Sequence, residues 1–468
     1  MELIEELSKV VGSANVLTGA DTARYARDWT GAYEAEPLAV VRPGNTAEVS
    51  AAIRLAAVSG VSVVPVSGNT GLTGGSHAPG ALMISVERLN QIRDIRTASR
   101  IAVVGAGVVI SQLHEAAADH GLAFPVTFGA KGSAMIGGIL STNAGGSNVL
   151  RYGSTRAQCL GLEVVLASGE VLNLMSALHK DNSGYDLKDL FIGAEGTLGL
   201  ITAAVVKLIP QPTAYATAMV ATADLDSALD LLNQLQEVSG GAVEAFEYMP
   251  GTYMEAALAV FPKMRPPFEA RHDTNLLIEI GLSPNQAQPD DTGAIPGIDS
   301  LEQVLGELLG QGRVLDAVIA QSDAQRTEMW ERREAAAEVS LADGPLVNND
   351  IAVPVDQVST FLTRAQERLD ELVPNAIVLT VSHLGDGNVH YTVRPPEMTP
   401  ELADQIMEAI EDVVLELGGS FSAEHGIGLS KRSSMKRRKD PVALEVMTAI
   451  KAALDPQNLM NPGKVLPS

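Results

Sequence analysis

Residues 65–75 read PVSGNTGLTGG and follow directly on the apolar run VSVV at 61–64. Four glycines stand there among small hydroxylated residues. Glycine permits positive φ and close backbone approach, so successive N–H groups can line a concave surface suited to a phosphate. The Lys-Ser/Thr pair that follows the glycines of a nucleoside triphosphate loop is absent. VVGAGVV at 103–109 is a poor Rossmann fingerprint, because Ile110 stands where the third glycine belongs and no acidic residue lies suitably further on. Two more loops share the first one's texture, GAKGSAMIGGILSTNAGG at 129–146 and FIGAEGTLGLI at 191–201. One such loop is as readily a turn as a ligand site. Three together imply a large, phosphate-containing ligand lying along the backbone.

Short apolar strands surround these loops: LAVVRP, VSVVPVSG, ALMISVERL, IAVVGAGV, LGLEVVLASG and LGLITAAVVKLIP, with a helix at AEVSAAIRLAAVSG. This predicts an α+β domain over 1–212. After IPQPT the texture changes: DLDSALDLLNQLQEVSG and SLEQVLGELLGQG carry apolar residues at helical spacing, separated by strands such as TNLLIEIGLS. Residues 213–455 therefore read as a second domain of helices and an antiparallel sheet. Residues 286–298 read as a mobile surface loop. At the end a helix is stopped by Pro456, and Asn461, Pro462 and Gly463 suggest that the tail, 456–468, has a docking site.

The chain has 468 residues, 46% of them hydrophobic, enough for two or three domains and a large core. No apolar run approaches the roughly 20 residues of a membrane helix, and MELIEELSKVVG lacks the basic start of a signal peptide. The expectation is a cytoplasmic protein without a membrane span. A net charge of -24 argues against nucleic acid as a partner and means that an acidic substrate needs local cations. The single cysteine, Cys159, excludes an internal disulfide or a multi-cysteine metal site and reads as a buried core thiol.

Residues 382–391, SHLGDGNVHY, set two histidines around an Asp-Gly step. Asp-Gly favours a two-residue hairpin loop. With Asp386 and Gly387 as that loop, His383 pairs directly with His390, and both imidazoles point to one face. Such a pair can bind a metal or simply stack in a polar cleft, and the hairpin alone leaves both readings open. SAEHGIG at 422–428 offers a carboxylate, Glu424, and a third imidazole, His425, in a glycine-rich segment able to turn both toward one site. Two histidines and a carboxylate with open positions suit zinc, and manganese or iron are also compatible.

The ordered set SGNTGLTGG, GAKGSAMIGGILSTNAGG, RYGSTR, NSGYDLKDLFIGAEGTLGLIT, HLGDGNVH, SAEHGIG and DPQNLMNPGKVLP resembles the FAD-dependent D-2-hydroxyacid dehydrogenases of the vanillyl-alcohol-oxidase flavoprotein superfamily, from about residue 36 to the end. The resemblance implies a two-part FAD-binding domain and a substrate or cap domain, with the tail returning to the flavin. It places Gly68, Asn69, Thr70 and Gly71 at the FAD pyrophosphate, with Thr73 also in the cofactor set. Gly129, Ser133, Gly137, Gly138, Ser141, Asn143, Gly145, Glu195, Gly196, Ile201 and Asn461 complete the cofactor set. Asn69 stands where relatives with covalent flavin carry a histidine, which implies noncovalent FAD. His383, His390 and Glu424 would hold the metal, His425 would be the base, and Arg333 would grip a substrate carboxylate.

The implied reaction is oxidation of a D-2-hydroxy acid to the 2-oxo acid, the α-hydrogen leaving as hydride to flavin N5. In the hydroxyglutarate enzymes a threonine and a lysine help hold the distal carboxylate. Here those places are Ala337 and Asn348, so a D-lactate-like substrate is expected, with D-2-hydroxyglutarate as the alternative. Electrons would pass to a quinone or an electron-transfer flavoprotein, and a homodimer is the default assembly. The rival readings are a metal-dependent hydrolase, which leaves the glycine loops unexplained, and a noncatalytic flavin-binding subunit, which leaves His425 idle.

Overall fold

The computed structural model describes residues 2–291, 293–342 and 344–467. Its contacts divide the chain into two units, one of Met1–Gly146, Gly153–Gln211 and Glu424–Ser468, the other of Ser147–Tyr152 and Pro212–Ala423.

The first unit contains a small sheet and a larger one. In the small sheet the strands run in the order Val16–Leu17, Ala39–Val41, Leu82–Ser85, Val63–Val66, and the last three are parallel. Helix Thr46–Val58 links Ala39–Val41 to Val63–Val66. It starts where the Asn45 side chain accepts the Glu48 amide, and it buries Val49, Ala52, Ile53 and Ala56 in the core. The larger sheet is antiparallel, in the order Ile92–Arg96, Ile101–Gly105, Leu200–Lys207, Cys159–Val165, Val171–Leu174. Cys159 is buried as expected, and burial pushes its thiol up to about 12.

The tail docks onto this unit. Val63 donates its amide to Leu459 O at 2.8 Å, and the Asn461 amide returns to Val63 O at 2.7 Å, so the tail extends the small sheet. Residues 424–455 also belong here, although the composition changes at neither end of that stretch; the division read from sequence falls at 455/456 and the structural one at 423/424. The physical reason is an anchor distant in sequence: Glu195 accepts the amides of Ile427 at 2.6 Å and Gly428 at 2.8 Å.

The second unit is built on an antiparallel seven-stranded sheet in the order Val314–Ile319, Ala214–Thr222, Thr274–Leu282, Val243–Pro250, Ile377–His383, Asn388–Arg394, Val347–Ala352. Period-2 alternation separates its two faces. One face sends Val220, Phe246, Ile278, Val389, Tyr391 and Ile351 into a core covered by helices Leu225–Ser239, Pro296–Gly310, Val358–Leu372 and Pro400–Glu416. The other carries a methionine-rich cluster around Met219, Met249, Leu277 and Met329, and beside it buried polar groups. The expected loop at 286–298 is shorter, since helices Pro284–Ala287 and Pro296–Gly310 take up both ends; Thr292 within it lies outside the described residues.

Candidate active site

In the first unit the three glycine loops pack on one another. A Cβ on Gly68 would lie 2.2 Å from Ser133 O, one on Gly138 would lie 3.0 Å from the Ser67 side chain, and one on Gly196 would lie 2.9 Å from the Pro65 ring. The glycines are therefore required by close approach between loops, while Gly71 and Gly129 face open space. Asn69, Asn143, Glu195 and Asn461, all expected at the cofactor, adopt left-handed φ of 52°, 51°, 50° and 42°. Non-glycine residues in that region are uncommon and gather at functional sites.

Side chains fix these backbones. Asn69 donates Nδ2–H to Arg27 O and accepts from Ser76 Oγ. Ser141 donates Oγ–H to Gly137 O, and its carbonyl accepts the Glu195 amide. Asn143 Oδ1 accepts from Ser154 Oγ and the Arg156 amide. Asn461 Nδ2 donates to Gly75 O at 3.0 Å and Glu195 O at 2.7 Å, joining the tail to two loops. Thr73 O accepts the amides of Leu429 and Ser430, bringing the segment after His425 onto the first loop. Thr70 and Gly145 are half-buried, and the Ile201 side chain lies in the apolar core. Burial raises the Glu195 carboxyl against the opposing pull of the Ile427 and Gly428 amides.

These residues fit a large polar ligand with hydrogen-bonding edges. Buried Ser67 Oγ and Asn461 Oδ1 have no partner among the described residues, and both border the loops. Glu424 and His425 also belong to this unit; Glu424 Oε2 accepts the Gly146 amide at 2.9 Å, and the His425 Nε2 lies 3.8 Å from Glu424 Oε1.

The histidine pair sits on the polar face of the second unit's sheet, in a register that corrects the sequence reading. His383 pairs with Asn388, and His390 with Val381, so the histidines are diagonal neighbours. The loop spans 384–387 because the amides of Asp386 and Gly387 both turn back to His383 O, while the Gly385 amide is taken by Phe246 O on the adjacent strand. The loop is two residues longer and the register shifts with it, so the histidines still share a face. Their ring centroids are 5.3 Å apart at an interplanar angle of 78°.

Sequence reasoning missed the group that orients this pair. Glu247, wholly buried on strand Val243–Pro250, approaches His383 Nδ1 at 2.8 Å and accepts from Arg333 Nε at 2.7 Å. Burial pushes its carboxyl up, and the adjoining His383 and Arg333 more than offset this, leaving it below the usual carboxylate value. The signal was present: two glutamates, Glu244 and Glu247, in the otherwise apolar strand VEAFEYMP. Asp350 was missed too, with Oδ1 3.6 Å from His390 Nδ1. Arg333 is buried rather than an exposed helix arginine. Asn348 and Ala337 are exposed, Asn348 opposite Thr392 on the neighbouring strand.

A carboxylate holding one ring nitrogen of a buried histidine fixes its tautomer, the usual support of a metal-ligating imidazole; the other nitrogen, His383 Nε2, faces Arg333 Nη2 at 3.4 Å. On this face His390 and Asp350 offer donor atoms close enough together to suit a divalent cation.

Comparison with known proteins bears on the cofactor and the family. Residues 37–175 match the family model described as FAD binding domain, and residues 211–465 match FAD linked oxidases, C-terminal domain. The chain is 37% identical over 452 residues to a D-2-hydroxyglutarate dehydrogenase of Xanthomonas citri, covering 95% of this chain and 93% of the relative. It is 35% identical to one of Stutzerimonas stutzeri, covering 99% and 98%, and 34% identical to the mitochondrial one of Arabidopsis thaliana, covering 99% and 81%. Among solved structures, p-cresol methylhydroxylase aligns with a TM-score of 0.75 at 14% identity over 99% of this chain and 96% of that one. The 4-ethylphenol oxidase of Gulosibacter chungangensis aligns with a TM-score of 0.73 at 18% identity, over 100% and 97%. These two likenesses show that the chain shares their fold.

Proposed function

The chain belongs to the family of FAD-dependent D-2-hydroxyacid dehydrogenases, and on that premise we propose that it oxidises D-2-hydroxyglutarate to the corresponding 2-oxo acid. The observation that carries the proposal is the buried Glu247–His383 pair beside His390 and Arg333, in a chain whose curated relatives bear that name over nearly their whole length.

FAD, when bound, supplies the hydride acceptor, and a divalent cation, zinc or else manganese or iron, supplies a Lewis acid for the substrate hydroxyl. His383 and His390 hold that cation in this proposal, with Glu424 as the carboxylate that the sequence motif adds. Glu247 keeps His383 in one tautomer. Arg333 spends Nε on Glu247, and Nη1 is left for a substrate carboxylate. His425 takes the hydroxyl proton, a general-base role an imidazole can fill. The glycine loops hold FAD without a covalent bond.

A second reading, a smaller acid such as D-lactate, is favoured by Ala337 and Asn348, which offer no cation for a distal carboxylate. The electron acceptor in either case is a quinone or an electron-transfer flavoprotein, and a cytoplasmic homodimer completes the proposal. Dye-linked turnover of D-2-hydroxyglutarate, D-lactate and their L-isomers decides between them. A kcat/KM highest for D-2-hydroxyglutarate supports the first, and one highest for D-lactate supports the second. His425→Ala is expected to lower turnover by about 10²–10⁴-fold, and turnover within threefold of wild type removes His425 from the reaction.

A further inference from the structure

Lys464, three residues beyond Asn461, is buried with 6% of its surface exposed. Its Nζ donates to two backbone carbonyls, His77 O at 2.7 Å and Pro462 O at 3.4 Å. No carboxylate among the described residues pairs with it; its charged neighbour is a second cation, Arg432. Burial and then Arg432 pull the ammonium down to about 8. A buried charge without a counter-ion is costly, and it becomes favourable once an opposite charge arrives.

The position of this cation indicates where that charge comes from. His77 lies two residues past Gly75, the end of the first glycine loop, and Gly75 O is held by Asn461 of the same tail. Buried Asn461 Oδ1, Ser67 Oγ and His77 Nδ1 have no partner among the described residues. An uncompensated cation and unpartnered polar atoms border one loop. We propose that Lys464 is the counter-charge for the negative charge that FAD brings into the first unit, carried either by its pyrophosphate or by its reduced ring system. This rests on FAD binding and not on the choice of substrate.

Lys464→Met and Lys464→Arg separate the two sources. FAD retention is read from flavin fluorescence as the purified holoprotein is diluted, and the midpoint potential from reduction against reference dyes. If the pyrophosphate is the partner, Lys464→Met releases FAD about 10–100-fold more readily, the worth of a charged hydrogen bond, with an unchanged potential. If the reduced ring is the partner, the oxidised cofactor is retained within about twofold while the potential falls, about 30 mV for each tenfold of lost stabilisation in a two-electron couple. Lys464→Arg keeps both values near wild type in either case. Should Lys464→Met not fold, Lys464→Gln takes its place. Unchanged retention and unchanged potential in a folded neutral variant overturn the proposal. A wild-type protein that is yellow yet inert toward every hydroxy acid would instead overturn the proposed function and leave this test intact.

Discussion

A carboxylate with no solvent contact must be paired, and Glu247 is paired twice, to His383 and to Arg333. Removing it leaves an arginine buried without its counter-ion, so Glu247→Ala should destabilise the second unit by about 3–5 kcal/mol, read as a lower urea midpoint. Glu247→Gln keeps the shape but not the charge, and should weaken metal retention by about 10–100-fold, read by dialysis against chelator and metal analysis. Unaltered metal content in Glu247→Gln would separate His383 from the metal. At this scale the sequence displayed the histidines through their Asp-Gly step but hid their support. Glu247 lies 136 positions from His383 and meets it only because two strands become neighbours.

Elements show how local rules were bent by tertiary contacts. The Asp-Gly signal correctly placed a hairpin, yet the strand carrying Phe246 captured the Gly385 amide and lengthened the loop. Gly387 is needed in that loop, with φ at +80° and a Cβ that would meet Val353 O at 2.1 Å. The glycine loops were legible because their residue types are demanded locally, at Gly68 by the approach of Ser133 O. Gly68→Ala must push these two loops apart. The expected result is protein with native circular dichroism and a flavin-to-protein absorbance ratio below half of wild type. A full flavin complement would show that the loop contact does not shape the cofactor site.

For the molecule as a whole, composition marks the crossing between units near 211/212 but not the one at 423/424, which depends on Glu195 reaching amides 232 and 233 positions away. No helix among the described residues is long and apolar enough to cross a membrane. The net charge of -24 opposes the approach of a dianionic substrate over distances that salt screens. kcat/KM for D-2-hydroxyglutarate should therefore rise as ionic strength goes from about 0.01 to 0.1 M, where the screening length shrinks from about 30 to 10 Å. A steep fall would mean that local cations such as Arg333 dominate capture. The most direct test of flavin-linked hydroxy-acid oxidation is anaerobic bleaching of the purified protein's flavin absorbance by D-2-hydroxyglutarate, before and after chelation and with zinc or manganese restored. Stoichiometric bleaching that chelator abolishes and metal restores is the predicted result; a flavin that no D-2-hydroxy acid reduces would contradict it.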